Sequence, residues 1–434
     1  MTDVPKIPGY HPVYEDYARC VHCGLCLNHC PTYRLWHLEA DSPRGRIQQM
    51  IRVENGGEPV NATFVDHIDK CLDCRACETA CPSGVEYGKL VEFARARIEA
   101  EYPRPFLSRL QRSFAFHALL PHPGRIAFAA RLLRFYQRSG LQSLARSSGI
   151  LKVLGLAQRE SLLPPIDDHF FFARLGKTFP AVGPRRARVA LFAGCVAQVT
   201  FTRLNEATIR VLTANGCEVV IPEAQLCCGA LASHAGDRES ARALARKNLA
   251  AFPLAGLDAI VTNAAGCGST LSEYSHLFAQ DEPEYAAAVA FESKVLDVTK
   301  FLAQLGFSAP LQPVPLRVTY QDSCHLLHGQ KVREAPRQLL RAIPQLDFVE
   351  LPDSEVCCGS AGSYNITQTE ASLALLEDKM RCAALTNAPT IVTANPGCLL
   401  QLRAGAALHH TNQQVLHIVE LLDRALGTAP QSAK

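Results

Sequence analysis

Eight cysteines near the start of the chain are spaced as one metal-binding motif written twice. Both copies read C-x-x-C-x-x-C-x-x-x-C-P, and the eight candidate ligands are Cys20, Cys23, Cys26, Cys30, Cys71, Cys74, Cys77 and Cys81. A [4Fe–4S] cubane has four iron corners that each take one thiolate, and a two-residue loop lets successive cysteines reach neighbouring corners. The spacing therefore predicts two [4Fe–4S] clusters.

The fourth cysteine of each copy lies too far around its turn to close the same cubane. In bacterial ferredoxins with this pattern it ligates the other cluster. We therefore expect one cluster on Cys20, Cys23, Cys26 and Cys81, and the second on Cys71, Cys74, Cys77 and Cys30. The alternative is a pair of zinc sites or buried thiols, but zinc sites usually use two separated C-x-x-C pairs. Two adjacent cubanes favour a role in electron transfer.

Eight further cysteines recur in the second half of the chain as two sets of four. The sets are Cys195, Cys227, Cys228 and Cys267, then Cys324, Cys357, Cys358 and Cys398. Matching members lie 129 to 131 residues apart, which indicates a duplicated domain because helical repeat families have much shorter periods. Four thiolates suffice for one cubane, so each copy holds either a further cluster or metal-free cysteines left over from one.

The pattern around these cysteines predicts an α + α/β fold class: a mainly helical two-cluster ferredoxin domain, then a duplicated α/β domain with parallel strands. Short β-branched runs alternate with helical spacing in both copies. The expected strands are 188–192, 259–262, 317–321 and 390–394, and the expected helices are 201–214, 239–252 and 414–426. We expect domains at 1–100, 101–185 (a basic helical linker), 186–310 and 311–434.

Helices, rather than strands, should connect the two N-terminal motifs. Ser42 is a capping residue followed by Pro43 at the first helical position. Asn61 can cap a second helix that leads into Cys71.

Composition is that of an ordinary water-soluble chain. It has 434 residues, 48% hydrophobic and 20% charged, with a net charge of +3. No secretory signal precedes the first motif, and no apolar run approaches the roughly 18 residues of a membrane span. Eighteen cysteines without an export signal point to the cytoplasm, where thiols stay reduced.

The segment between Tyr102 and Arg159 is strongly basic. It contains ten Arg or Lys residues and no Asp or Glu, with apolar residues interleaved at helical spacing. Such a segment lies on an anionic membrane surface, docks a partner subunit, or forms a solvated face over the core. No recognition motif accompanies the charge, so we expect no nucleic-acid partner.

Other candidate residues lie beside the cysteine sets. His234, His325 and His328 are close enough to complete a metal site, although a histidine near a turn is more often a hydrogen-bonded structural residue. Cys217 and Cys382 have no counterpart in the other copy and are expected to be core thiols.

These motifs together resemble the iron–sulfur subunit of glycolate oxidase (glycolate dehydrogenase). The resemblance rests on Cys20–Tyr33, Ser42–Ile47 and Cys71–Val85, and on Cys227-Cys-Gly-Ala230, Gly266-Cys-Gly268 and Cys357-Cys-Gly-Ser-Ala-Gly362. The CCG segments are also the pattern of heterodisulfide reductase subunits, whose full signature ends in C-x-x-C. Thr270 and Gln401 stand where that last cysteine would be, so the five-thiolate cluster of that signature lacks a ligand here.

The resemblance implies an electron-transfer subunit without catalytic residues of its own. FAD-containing dehydrogenase subunits would oxidise the 2-hydroxy acid, and electrons would leave toward quinone, in the cytoplasm or peripherally at the inner membrane face. No G-x-G-x-x-G follows an expected strand, so flavin is expected only on the partner subunits. The alternatives are an iron–sulfur subunit of a lactate or glycerol-3-phosphate dehydrogenase, or a catalytic subunit like that of heterodisulfide reductase.

Overall fold

The computed structural model describes residues 7–161 and 163–427. The first part of the chain is helical, and its described residues contain no strand before Thr178. The helices are α1 (Tyr14–Ala18), α2 (Pro31–Trp36), α3 (Pro43–Glu54), α4 (Ala62–Asp69), α5 (Ala76–Thr79) and α6 (Tyr87–Glu101), with 3-10 turns at Leu27–His29 and Glu39–Asp41.

Side-chain caps fix where the two connecting helices begin. The Ser42 hydroxyl accepts a hydrogen bond from the Gly45 amide (3.0 Å), and Pro43 opens α3. The Asn61 side chain accepts one from the Phe64 amide (2.9 Å), and α4 ends two residues before Cys71. The predicted helical connection between the two cysteine motifs is therefore confirmed.

A layer of helices without strands follows. It comprises α7 (Phe106–Ser113), a π-helical turn (Phe114–Leu119), α8 (Pro123–Arg138), α9 (Leu141–Ser147), α10 (Ile150–Val153) and α11 (Ala157–Ser161). The buried side chains of α8 are Ile126, Ala127 and Ala130, and α7 has none. This layer thus contributes few apolar side chains to the interior, and it also contacts the rest of the protein through polar groups such as Arg112, which donates to the Ala235 carbonyl.

The first repeat is built on a five-stranded sheet. Its strands are β1 (Thr178–Phe179), β2 (Ala187–Phe192), β3 (Cys217–Val220), β4 (Ala259–Thr262) and β5 (Val295–Asp297), in the order β1-β3-β2-β4-β5. All neighbours are parallel except β1 and β3. The helices are α12 (Ala197–Thr200), α13 (Thr202–Ala214), α14 (Ala230–His234), α15 (Arg238–Ala251), α16 (Ala265–Leu271), α17 (Pro283–Glu292) and α18 (Val298–Leu305), with 3-10 turns at Phe171–Arg174 and Tyr274–Leu277.

The second repeat has a parallel four-stranded sheet of the order β7-β6-β8-β9. Its strands are β6 (Leu316–Tyr320), β7 (Leu346–Glu350), β8 (Thr390–Thr393) and β9 (Gln414–His417). Its helices are α19 (Glu334–Arg341), α20 (Tyr364–Thr367), α21 (Thr369–Leu385), α22 (Pro396–Leu408) and α23 (Ile418–Ala425), with a π-helical turn at His325–Gly329. The predicted fold class, helical and then duplicated α/β, is confirmed.

One predicted element was wrong in part. We expected a single helix over 414–426, but Gln414–His417 is strand β9, which pairs with β8 and sets Val415 opposite Ile391. The helix begins only at Ile418, where the His417 and Glu420 side chains form a capping box. Pairing with β8 thus determines the extended conformation of Gln414–His417, although the local sequence pattern favours a helix.

The two repeats share one apolar core. Val189 of β2, Val318 of β6 and Leu421 of α23 belong to the same buried cluster. Across the boundary, His417 Nε2 donates a hydrogen bond to the Asn263 carbonyl (3.0 Å). The repeats are therefore a single packed body.

A buried ion pair joins the helical N-terminal part to the first repeat. Arg75, 4% exposed, donates from both terminal nitrogens to the carboxylate of Glu273, at 2.5 and 2.8 Å. Arg75 lies between the ligand candidates Cys74 and Cys77, so this pair fixes the second cysteine motif against the repeats. No helix among the described residues is long and apolar enough to cross a membrane.

Replacing Glu273 by alanine should lower the free energy of unfolding by about 2 kcal/mol, because the buried Arg75 guanidinium then keeps, among the described residues, only the more distant Asp73 carboxylate, at 3.9 Å. Urea unfolding followed by circular dichroism measures the change. Glu58→Ala is the matched control, since Glu58 pairs with Arg52 at the surface and its loss should cost under about 0.5 kcal/mol. Equal costs for both variants would contradict the structural role of the Arg75–Glu273 pair.

Candidate iron–sulfur centres

Four cysteines from both N-terminal motifs surround a small cavity at the surface. This outer cage, with about 30 Å³ of free space, consists of Cys20, Cys23, Cys26 and Cys81. Cys23 is exposed, and the loop around it turns through left-handed backbone at His22 and Gly24. The guanidinium of Arg44 lies at its edge, held by Glu39 and by the His22 carbonyl.

The other four cysteines surround a second, deeper cavity. This inner cage has about 20 Å³ of free space and consists of Cys30, Cys71, Cys74 and Cys77, all buried. Two arginines, Arg46 and Arg75, also line it. Each cage thus combines three cysteines of one motif with the fourth of the other, which is the grouping that the spacing predicts.

Both cages suit a metal cluster by the chemistry of their donors. Burial raises the pKa of the Cys26 thiol to about 11 and that of the Cys74 and Cys77 thiols well above the ordinary value. Thiols with such raised pKa values stay protonated unless a strongly bound cation displaces the protons. A metal does this because it binds the thiolate form. An all-sulfur set of four in a small cavity is the donor set of a [4Fe–4S] cubane.

Buried guanidinium groups surround the inner cage. Arg46, 1% exposed, donates to the Thr32 hydroxyl (3.1 Å) and to the Asp41 carboxylate (3.3 Å). Arg95 donates to the carbonyl of Cys71. These positive charges offset the negative charge that an all-thiolate cluster carries. Among the described residues, Arg44, which is partly exposed, is the one arginine that lines the outer cage.

The cysteines of the first repeat converge at the carboxyl ends of its strands. Cys195 follows β2, Cys227 and Cys228 lie in the loop after β3, and Cys267 lies in α16 after β4. Their thiols contact one another in the order Cys195, Cys227, Cys228, Cys267. Parallel strands deliver their ends to one edge of a sheet, which brings together residues 72 positions apart in sequence.

The second repeat places its own four cysteines in the same way. Its thiols contact in the order Cys324, Cys357, Cys358, Cys398. All eight cysteines of the repeats line one cavity of about 250 Å³, the central cavity. The two sets therefore face each other across a common space. Neither Thr270 nor Gln401 is among the residues that line it.

A glycine after each cysteine pair adopts the left-handed conformation. Gly229 has φ +87° and Gly359 has φ +88°. A Cβ on Gly359 would lie 2.4 Å from the Ser372 carbonyl oxygen, and one on Gly229 would lie 3.3 Å from Ala241 Cα. The backbone conformation at both positions and the clash at Gly359 disfavour a side chain, which explains the glycine of the CCG motif physically.

The inner cage lies against the second repeat. Cys74, Cys324 and Cys357 belong to one buried apolar cluster with Leu72 and Tyr364. The Tyr364 hydroxyl donates to the carbonyl of Lys70, just before Cys71 (3.1 Å). The inner cage is thus the link between the outer cage and the central cavity.

The sequence indicated His234 but not the two carboxylates that form a charged group with it at the wall of the central cavity. His234 Nδ1 lies 3.1 Å from Asp73 Oδ2 and 3.0 Å from Glu92 Oε1. Burial alone would lower the pKa of His234, but the two carboxylates raise it to about 9. The charged imidazole in turn lowers the pKa of Glu92. Asp73 lies between Cys71 and Cys74, two ligand candidates of the inner cage. Its burial could have been inferred from that position in the sequence.

The remaining candidates have simpler surroundings. His328 contacts the Thr79 hydroxyl (2.8 Å) and the Glu355 carbonyl (3.0 Å) through its two ring nitrogens, so neither is free for a metal. Cys217 is fully buried in β3, and Cys382 on α21 packs against the core. His325 lines the central cavity, and its ring lies 5.1 Å from that of His234.

The helical layer covers the first repeat next to its cysteines. Phe116 and Leu120 belong to the buried cluster that contains Cys227 and Cys228. Ile126 and Ala130 of α8 pack with Val199, and Cys195 borders the same group. The layer thus lies directly over one end of the central cavity.

Three family models match the chain. The 4Fe–4S dicluster domain matches residues 16–85, the linker region of the glycolate oxidase iron–sulfur subunit matches 107–163, and the cysteine-rich CCG domain matches 189–272 and 318–403. These matches indicate an iron–sulfur protein.

Curated relatives match over most of the length. The probable glycolate oxidase iron–sulfur subunit of Bacillus subtilis (strain 168) is 42% identical over 95% of this chain and 94% of its own. The glycolate oxidase iron–sulfur subunit of Escherichia coli (strain K12) is 32% identical over 94% and 93%. Lactate utilization protein A of Oceanobacillus iheyensis is 32% identical over only 54% of this chain, and 96% of its own.

Gly359→Ala should lower the free energy of unfolding by about 2 to 4 kcal/mol, because left-handed strain adds to a clash with the Ser372 carbonyl. Chemical denaturation of the iron-loaded protein measures it. Gly84→Ala is the matched control, since Gly84 has φ +67° but no atom within 4 Å of the added Cβ, and should cost about 1 kcal/mol. A Gly359 variant as stable as the control would refute the packing account of the CCG motif.

Proposed function

Because the chain belongs to the glycolate oxidase iron–sulfur subunit family, we propose that it carries electrons from a flavin-dependent glycolate dehydrogenase subunit toward quinone. The observation that carries the proposal is the row of sulfur sites from the surface to the centre: outer cage, inner cage, second repeat, first repeat. A protein that needed a cluster only for stability would not require such a row.

The sixteen cysteines of the cages and repeats are the proposed ligands. The two cages would hold one [4Fe–4S] cluster each, and each set in the central cavity would hold one further cluster. Bound clusters supply one-electron transfer, whereas oxidation of a 2-hydroxy acid releases an electron pair, so a flavin on a partner subunit must divide the pair. The chain's own part is to hold the sites in order and to exclude water from the inner ones.

The exposed end of the row is the proposed point of contact with the flavoprotein. Cys23 is exposed, and Val13, Tyr14, Val21 and Leu25 present apolar surface in the same region, each more than half exposed. Electron transfer requires close approach of donor and acceptor. The outer cage offers such an approach, while the inner cage lies beneath protein.

We further propose that the helical layer rests on the anionic surface of a membrane, on its cytoplasmic side. Thirteen of the 26 exposed large apolar side chains among the described residues lie in residues 106–156, and we call this surface the apolar plate. Its members are Phe106, Leu107, Leu110, Phe114, Phe128, Leu132, Phe135, Leu141, Leu144, Ile150, Val153, Leu154 and Leu156. Apolar patches of this extent mark interaction sites.

Charge decides between a membrane and a protein as the occupant. The plate contains no acidic residue between Tyr102 and Arg159, which suits anionic lipid headgroups. Not every arginine is available, however. Arg134 donates to the Asp167 and Asp168 carbonyls, and Arg138 pairs with Asp168. Arg109, Arg125 and Lys152 have no carboxylate partner among the described residues.

Glycolate should bleach the visible absorbance of this chain only when the flavoprotein subunits are present, and a quinone should restore it. Cys74→Ser should remove about four irons and stop quinone reduction while flavin reduction by glycolate continues. Absorbance, iron analysis and EPR measure these effects. Cys382→Ser, outside every cage, is the control and should keep its iron. Bleaching by lactate or glycerol 3-phosphate in place of glycolate, or quinone reduction without this chain, would refute the proposal.

The protein should float with vesicles that contain phosphatidylglycerol, and salt should weaken the association because it screens charge beyond about a nanometre. Changing Phe128, Leu132 and Phe135 to serine, or Arg109, Arg125 and Lys152 to glutamine, should reduce flotation at least threefold. Leu385→Ser with Leu408→Ser, exposed apolar sites elsewhere, is the control. Undiminished flotation with loss of a partner subunit would assign the plate to a protein instead.

A further inference from the structure

The central cavity is larger than its cysteines require. The outer and inner cages have about 30 and 20 Å³ of free space, whereas the central cavity has about 250 Å³. The free space of the two cages together equals about a fifth of it. The eight cysteines line it together with mainly apolar residues, with Phe201, Leu231 and Leu400 among the larger side chains. A mostly apolar cavity with a few polar groups is the usual form of a small-molecule site.

We propose that the central cavity binds the headgroup of a quinone between the two repeats. The inference rests on the proposed function, for which it names the place where the final acceptor is held. A quinone ring is flat and apolar and carries two carbonyl oxygens, so it needs an apolar slot with hydrogen-bond donors at its edge. The imidazole of His234 at the cavity wall offers such a donor.

His234 is placed to donate to one quinone oxygen, and the free ring nitrogen of His325 is placed to accept from the hydroxyl group that forms on reduction. His325 is 8% exposed, and its Nε2 has no hydrogen-bond partner among the described residues. Its Nδ1 faces the Cys324 sulfur at 3.5 Å, so the ring cannot turn away from the cavity without losing this contact. His234 lies beside it, and its Nδ1 is engaged by Asp73 and Glu92. The carboxylates fix the orientation of His234 as a donor.

A route from the apolar plate to the cavity is present in the fold. Val196 lines the cavity and is 39% exposed, and Cys195 beside it borders the residues packed under α8. A lipid-soluble ligand that arrives at the plate therefore meets the cavity at the side that the helical layer covers. The outer cage, where we place the flavoprotein contact, lies at the other end of the row.

Reduction of the quinone balances with groups already named. Two electrons, which reach the cavity singly from the reduced iron–sulfur sites, and two protons convert the two carbonyl groups to hydroxyl groups. One proton passes from the His234 imidazolium to a quinone oxygen and is replaced from solvent. The second comes from solvent at the cavity mouth near Val196.

Binding of ubiquinone-1 to the oxidised, iron-loaded protein, measured by titration calorimetry, tests the site. Leu231→Trp and, separately, Leu400→Trp should weaken binding at least tenfold by filling the cavity. His234→Gln should weaken it about tenfold, through loss of a charged hydrogen bond. Leu408→Trp, exposed on the surface of the second repeat, should bind as the unchanged protein does. Iron content and circular dichroism identify any variant that fails to fold, and the remaining well-folded variants then decide the test.

Two results would overturn the inference. The first is unchanged ubiquinone-1 affinity in well-folded cavity variants, and the second is competition for the cavity by an alkyl disulfide but not by a quinone. Reduction of the iron–sulfur sites by the flavoprotein and glycolate is measured on the same variants. If that reduction persists while the cavity variants bind ubiquinone-1 with unchanged affinity, the quinone site is elsewhere and the proposed function still holds. If the sites are never reduced, the proposed function itself fails.

Discussion

Each N-terminal cage closes only with a cysteine supplied by the other motif. Cys81 completes the outer cage and Cys30 the inner one, so neither site is assembled until the segments around both motifs are in place. The 40 residues between Cys30 and Cys71 must therefore return the chain to its starting point. Helices α3 and α4 do so, and the caps at Ser42 and Asn61 set where each begins. Arg46 of α3 then reaches back to Asp41 and Thr32, within the same assembly.

The central cavity also depends on two separate parts of the chain. A single repeat brings its four cysteines to one sheet edge, but the central cavity exists only because two repeats share a core and face each other. The Arg75–Glu273 pair and the apolar contact of Cys74 with Cys357 then fix the cages against this body. Burial at these joints is costly for the charged groups involved, and each is offset by a specific partner.

Spacing predicted the features that depend on local geometry. The capped helices and the strands near 188–192 and 259–262 could be read from sequence because caps and alternation act over a few residues. The crossed grouping of the cysteines joins distant segments, and it was expected from the pattern of two-cluster ferredoxins rather than from local geometry. The strand at Gln414–His417 could not, because the neighbouring strand β8, more than twenty residues earlier, decides it. Nor could the Asp73–Glu92–His234 group, whose members come from three separate segments that only the tertiary fold brings together. Sequence also could not show that Arg134 and Arg138 are engaged by residues 167 and 168.

The unequal burial of the two cages determines which of them is oxidised first when the protein is exposed to air. Oxidants attack sulfur and iron where solvent reaches them, and susceptibility follows exposure. Cys23 is open to solvent, whereas each sulfur-bearing residue of the inner cage is at most 9% exposed. Damage therefore begins at the outer cage and leaves the inner sites intact for longer. On the function proposed above, a preparation handled aerobically would lose its connection to the electron donor first, and repair of that one surface site would restore electron transfer to the inner sites.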